Sequence, residues 1–185
     1  SFISSSFELK QCLDRLPPLP ANARVFMFDA VSMYTKIDTD HALEEIATFL
    51  RTHKLAKGLP TEAIIDGLEL IMRFNIFKFG DTHWKQRSGT AMGTPPACMY
   101  ATLYYAIHEL AMPPHLQACL AIYKRYIDDG FGIWIGSKKH WTEFQSWVNS
   151  FGSLRWIFTS LTREVDYLDI TICIDTKNAI RTTLC

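Results

Sequence analysis

A chain of 185 residues, 48% hydrophobic and 13% aromatic, can bury one sizeable core, so a single globular domain is the expectation. Nineteen basic residues balance nineteen acidic ones, which argues against a protein that grips a nucleic-acid backbone by charge alone. No apolar run approaches the roughly 20 residues of a membrane span, and the five scattered cysteines, without a Cys-x-x-Cys pair, indicate neither a disulfide framework nor a zinc site. That cysteine usage fits a reducing, intracellular setting. The chain opens on Ser1 rather than methionine and stops at Cys185 soon after a strand-like run, so a piece of a longer protein is expected.

The Pro-rich stretch from Leu16 to Pro20 reads as a loop. It leads into Arg24-Val25-Phe26-Met27-Phe28-Asp29, an almost wholly apolar strand of the kind covered on both faces, ending on an acid. Leu43, Ile46, Ala47 and Leu50 then keep helical spacing to about Thr52, with Asp38 or Thr39 as N-cap. A second helix starts near Thr61 and is expected to bury Ile64, Ile65, Leu68 and Ile71. Residues 75–79 and 82–86 flank Gly80-Asp81 as a hairpin, followed by a Gly/Thr/Pro-rich loop from Ser88 to Pro96 and a helix from Ala97 to Leu110. Ile122 to Ile127 and Phe131 to Ile135 read as strands joined at Asp128-Asp129-Gly130. His140 to Phe151 is helical in pattern, and Trp156 to Thr159 and Val165 to Ile174 alternate like strands. This order predicts an α+β fold with an antiparallel sheet backed by helices.

Phosphoryl transfer asks for positioning more than covalent chemistry, and carboxylates holding two Mg²⁺ ions roughly 3.5–4 Å apart suffice for it. Asp29 and Asp128 are the main candidate ligands, with Asp129 weaker or outer, provided that strand 24–29 lies beside the 122–135 hairpin. Mn²⁺ would also suit these hard oxygen donors. The plainer alternative makes Asp29 a turn cap and the Asp128-Asp129-Gly130 run an ordinary hairpin tip. Lys124 and Arg125 precede the tip, placed either to approach a primer backbone or to form a solvated strand edge. His108, Glu109 and His115 fit no zinc spacing, because Pro113-Pro114 interrupts them. Trp134, Trp141, Trp147 and Trp156 sit on periodic segments and read as core.

Phe28-Asp29-Ala30-Val31-Ser32-Met33-Tyr34-Thr35, Gly89-Thr90-Ala91-Met92-Gly93-Thr94-Pro95 and Tyr126-Ile127-Asp128-Asp129 resemble, in order and spacing, motifs A, B and C of reverse transcriptases. The likeness is strongest to Penelope-like retroelement enzymes, which are similar to telomerase reverse transcriptases. Val165-Asp166-Tyr167-Leu168-Asp169 is similar to the strand after motif D in that group, so the resemblance covers about residues 24 to 174. It implies a polymerase palm with an RRM-like, ferredoxin-like core spanning residues 1–185, with fingers only partial and no thumb. It further implies metal roles for Asp29, Asp128 and Asp129 and for the carbonyl of Ala30, and a Tyr34 ring beneath the incoming sugar. Met92 and Gly93 would lie against the nucleotide, and Tyr126, with Lys124 and Arg125, against nucleic acid. Many reverse transcriptases place Gln where Met92 stands. The partners implied are an RNA template, a DNA primer and a dNTP, with no membrane, and a nuclear location is expected from the family. No lysine matches the motif D general acid, so that role is unassigned. A palm alone is expected to be inactive. The competing readings are another palm-fold nucleotidyl transferase, such as an RNA-dependent RNA polymerase or a cyclase, and a silent or domesticated copy that binds RNA or protein partners.

Overall fold

The computed structural model describes residues 2–53, 58, 60–91 and 93–185. In chain order its elements are α1 (Ser6–Asp14), β1 (Arg24–Ala30), α2 (Met33–Lys36), α3 (Thr39–Thr52), α4 (Thr61–Arg73), β2 (Ile76–Phe79), β3 (Thr82–Lys85) and α5 (Ala97–Leu110). There follow α6 (Pro114–Gln117), β4 (Leu120–Tyr126), β5 (Asp129–Trp134), α7 (Lys138–Val148), β6 (Trp156–Phe158), β7 (Glu164–Tyr167), β8 (Ile170–Ile174) and β9 (Ile180–Leu184). These elements gather into two compact units. One comprises Ser1–Ala30, Ala111–Ser150 and Arg155–Cys185, the other Val31–Leu110 and Phe151–Leu154. No helix among the described residues is long and apolar enough to cross a membrane.

The first unit is built on an antiparallel sheet of order β4-β5-β1-β6. Strand alternation divides β1 between two cores. Phe26 meets α7, its ring centroid 4.7 Å from that of Trp141 and 5.7 Å from that of Phe144, while Phe28 on the same face stacks on Tyr123 and Phe158. Gly130 and Gly132 lie opposite Phe28 and Phe26 in the ladder, and a Cβ on Gly130 would stand 2.0 Å from the Phe28 ring. The rings therefore cross the glycines, which accounts for the Gly-rich run that follows the acidic pair. On the opposite face Val25, Phe131 and Ile133 pack with Leu9 and Leu13 of α1 and with Tyr167, Ile170 and Ile172. Each such side chain contributes about 1.5–3 kcal/mol by leaving water.

Two features of this unit differ from the sequence expectation. Helix α1, not foreseen, is capped by the Ser5 hydroxyl, which accepts the Glu8 N–H at 3.3 Å, and its spaced Leu9 and Leu13 are buried. The expected single strand 165–174 is a hairpin: Leu168 adopts φ 52°, so β7 and β8 pair with Tyr167 opposite Ile170, and β9 adds a third strand. A primed two-residue turn needs positive φ, which Leu-Asp does not advertise as Asn-Gly would.

In the second unit Asp38 caps α3, accepting the His41 N–H at 2.9 Å, and Leu43, Ile46, Ala47 and Leu50 are buried as their spacing predicts. Helix α4 buries Ile65 as expected and half-buries Ile64 and Leu68, with Met72 buried in place of Ile71, which stays 41% exposed. Strands β2 and β3 pair Phe77 with Trp84 across a turn in which Gly80 has φ 60°. His41 Nδ1 and the Tyr104 hydroxyl share a hydrogen bond of 2.7 Å, and Tyr104 packs on Phe151.

Candidate active site

Residues directly opposite one another on antiparallel strands share a face. Asp29 at the end of β1 lies opposite Asp129 at the start of β5, so two acids exactly 100 positions apart in number are adjacent in the ladder. A side-chain hydrogen bond joins them. Asp29 is exposed and Asp129 half-buried, and both line a cleft of about 200 Å³ walled by Met27, Ile157, Phe158 and Tyr167.

The hairpin tip differs from the sequence reading. Tyr126 pairs with Asp129, so the turn consists of Ile127 and Asp128 rather than Asp128 to Gly130. Ile127 takes φ 53°, a left-handed conformation that costs a β-branched residue on the order of 1–3 kcal/mol. Three bonds hold this strained segment. Arg125 Nη1 donates to the Ile127 carbonyl at 2.6 Å, the Ala30 N–H donates to the Asp128 carbonyl at 3.0 Å, and the Tyr167 hydroxyl donates to the Asp129 carbonyl at 2.8 Å.

Burial, then the charge of Asp128, pushes the Asp29 carboxyl above the ordinary carboxylate range, while its hydrogen bond with Asp129 acts the other way. Asp129 is pushed up by burial first, then by Asp128 and Asp29. No lysine or arginine among the described residues offsets either shift. Uncompensated hard oxygen donors on adjoining positions are chemically suited to a divalent cation. Among the described residues no three His, Cys, Asp or Glu side chains stand together so as to hold a metal ion. The donor set therefore fits such an ion by chemistry and register, not by a preformed cage.

The other sequence-predicted residues fall in different places. Ala30 is buried and meets the turn through its N–H. Tyr126 and Lys124 are half-buried on β4. Arg125 is 0% exposed, which corrects its expected position at a primer or a solvated edge: its guanidinium is spent inside the protein on the Ile127 carbonyl. Tyr34 and Gly93 belong to the second unit, and Met92 lies outside the described residues. Tyr34 is half-buried on α2, and its carbonyl accepts the Thr90 N–H at 2.5 Å. Gly93 has φ 94° with open space where a side chain would go. A close approach of backbone is found at Gly89, at φ 76°, where a Cβ would meet the Tyr34 carbonyl oxygen at 2.8 Å and the Thr35 Cα at 2.9 Å. Gly89 and Tyr167 are thus structural contributors that single-residue reasoning passed over, although both lie within the quoted motifs.

No family model and no curated protein matches the chain. Solved structures do. Apo telomerase from Candida tropicalis is similar over 100% of this chain and 37% of its own, with TM-score 0.70 and 10% identity. Telomerase from Candida albicans, in complex with a TWJ fragment of telomeric RNA, gives TM-score 0.67 and 10% identity over 97% of this chain and 35% of its own. The Sicinivirus 3Dpol RNA-dependent RNA polymerase gives TM-score 0.58 and 14% identity over 89% and 37%. The chain spans little more than a third of these neighbours, and at such identities the likeness is one of fold: an α+β polymerase palm, antiparallel sheets backed by helices.

Proposed function

We propose that this chain is the catalytic palm of an RNA-directed DNA polymerase of a Penelope-like retroelement, extending a DNA primer with dNTPs on an RNA template. The observation that carries the reading is the ladder register that sets Asp29 against Asp129 with Asp128 in the adjoining turn. Asp29 and Asp128 would hold two divalent ions, with Asp129 and the Ala30 carbonyl as further donors. Bound there, the ions would lower the pKa of the primer 3′-hydroxyl and neutralise charge developing on the triphosphate. The carboxylates themselves would fix where those charges sit, because Asp29 and Asp129 stand on paired strands and Asp128 on the two-residue turn that joins β4 to β5. Tyr34 would limit room for a ribose 2′-hydroxyl, while Tyr126 and Lys124 would approach the primer. The RNA held by the Candida albicans neighbour is in keeping with an RNA partner. The viral neighbour keeps an RNA polymerase as the second reading, which Tyr34 opposes, since a polymerase of ribonucleotides has no use for a 2′-hydroxyl block.

Asp29→Asn and Asp128→Asn test this in the protein that carries the chain. Each removes one charge at nearly constant volume, so folding should survive while primer extension falls on the order of a thousandfold. Extension near the wild-type rate by either variant, at unchanged melting temperature, would exclude the assignment.

A further inference from the structure

We infer that Arg125 and Tyr167 are positioning residues that hold the Ile127–Asp128 turn in the conformation presenting the Asp128 carboxylate, a role that rests on the metal site proposed above. The carbonyls of Ile127, Asp128 and Asp129 are bonded in succession by a side chain of β4, the main chain of β1 and a side chain of β7. A two-residue hairpin leaves the carbonyls of its two turn residues outside its own ladder, and the carbonyl of Asp129 in the closing pair keeps a second lone pair to offer. Here two of the three are taken by side chains that the core buries, Arg125 at 0% and Tyr167 at 3% exposure. Packing alone does not call for either polar end. A phenylalanine at 167 would make the same contact with Phe131, whose ring centroid is 5.5 Å away, and what the hydroxyl adds is its bonding to the hairpin backbone, the Asp129 carbonyl foremost. Arg125 is itself anchored, since its carbonyl accepts the Ile3 N–H at 3.0 Å and Phe2 bridges to it. The guanidinium thus bonds the turn from a fixed base, at the one residue whose backbone is left-handed and β-branched. Without that support the turn could relax, and a carboxylate on a two-residue turn would move by more than the roughly 0.5 Å that ligand geometry tolerates.

Tyr167→Phe is the principal test, because it keeps the ring and removes one hydroxyl. Arg125→Lys, which retains the charge but loses the fork, is the second variant. In the present chain, amide hydrogen exchange of Ala30, whose N–H bonds the Asp128 carbonyl, should quicken about three- to tenfold in Tyr167→Phe while the melting temperature changes little. Mn²⁺ affinity, read by the electron-paramagnetic-resonance signal of free Mn²⁺, should weaken by a similar factor. Arg125→Lys should shift both readouts the same way. Unchanged exchange at Ala30 in Tyr167→Phe overturns the inference, as does quickened exchange with unaltered Mn²⁺ affinity in a wild type that binds the ion. If wild type binds no Mn²⁺ while Ala30 exchange quickens in both variants, support of the turn stands and the metal reading is what fails.

Discussion

Around Ile127–Asp128 three consecutive carbonyls are bonded by three different elements, whereas of the two glycines of the Gly/Thr/Pro-rich loop Gly89 is tightly enclosed and Gly93 has open space beside it. The loop's first residues are pinned: Thr90 N–H bonds the Tyr34 carbonyl, and Gly89 leaves no space for a Cβ against Tyr34 and Thr35. Gly93 stands exposed with nothing near its missing side chain, and the buried Thr90 hydroxyl has no partner among the described residues. The two designs spend stability differently. The acidic turn stores backbone strain at Ile127 and over-determines it, as carboxylates that must stay fixed require. The glycine loop ties its start to Tyr34, and further on the Ala91 carbonyl accepts the Thr94 N–H and hydroxyl at 3.3 and 3.0 Å, while Gly93 itself has open space where a side chain would go.

The loop half of that contrast is the easier to break. Gly89→Ala forces both a left-handed alanine and a clash with main-chain atoms that cannot turn aside, so a loss of about 2–4 kcal/mol is expected in denaturant or thermal unfolding. Gly93→Ala carries only the conformational part, about 1–2 kcal/mol. Equal losses at the two glycines would remove the distinction between an enclosed and an open position. Tyr34→Ala sharpens it on the functional side. If the ring limits the sugar, the ratio of kcat/KM for dNTP over rNTP should fall about tenfold or more, with much of the dNTP rate kept. A core aromatic would instead lose about 3–5 kcal/mol of stability on truncation and leave the ratio unchanged.

Strand β1, helices α3 and α5 and the β2–β3 hairpin were legible in the sequence because apolar periodicity and turn glycines mark them directly. Adjacency of Asp29 and Asp129 was legible only as a condition of the chemistry, since register depends on pairing between distant strands. Hidden altogether were the Leu168–Asp169 turn, whose residues carry no turn signature, and the inward course of Arg125. Alternation on β4 places a charged residue on one face or the other, and only the partner carbonyl at Ile127 decides that burial is tolerable. On α4 the expected face was met at Ile65, and only the choice of Met72 over its neighbour Ile71 was set by what packs against the helix.

Whether Asp29, Asp128 and Asp129 together take a divalent ion is read most directly by thermal unfolding of the chain with and without Mn²⁺ across pH. Carboxyls raised above their unfolded values bind protons more tightly in the native state, so without the ion stability is lost as pH rises through the raised range of Asp29 and Asp129. A bound cation reverses that loss, because it favours the ionised forms. The expected result is a melting temperature raised by Mn²⁺ at neutral pH, by about 2.7 kcal/mol of stabilisation at a hundredfold excess over Kd. The gain should vanish below about pH 4, where carboxylates are protonated, and be largely lost in Asp128→Asn. A melting temperature indifferent to Mn²⁺ at neutral pH, or raised equally in Asp128→Asn, would contradict the account.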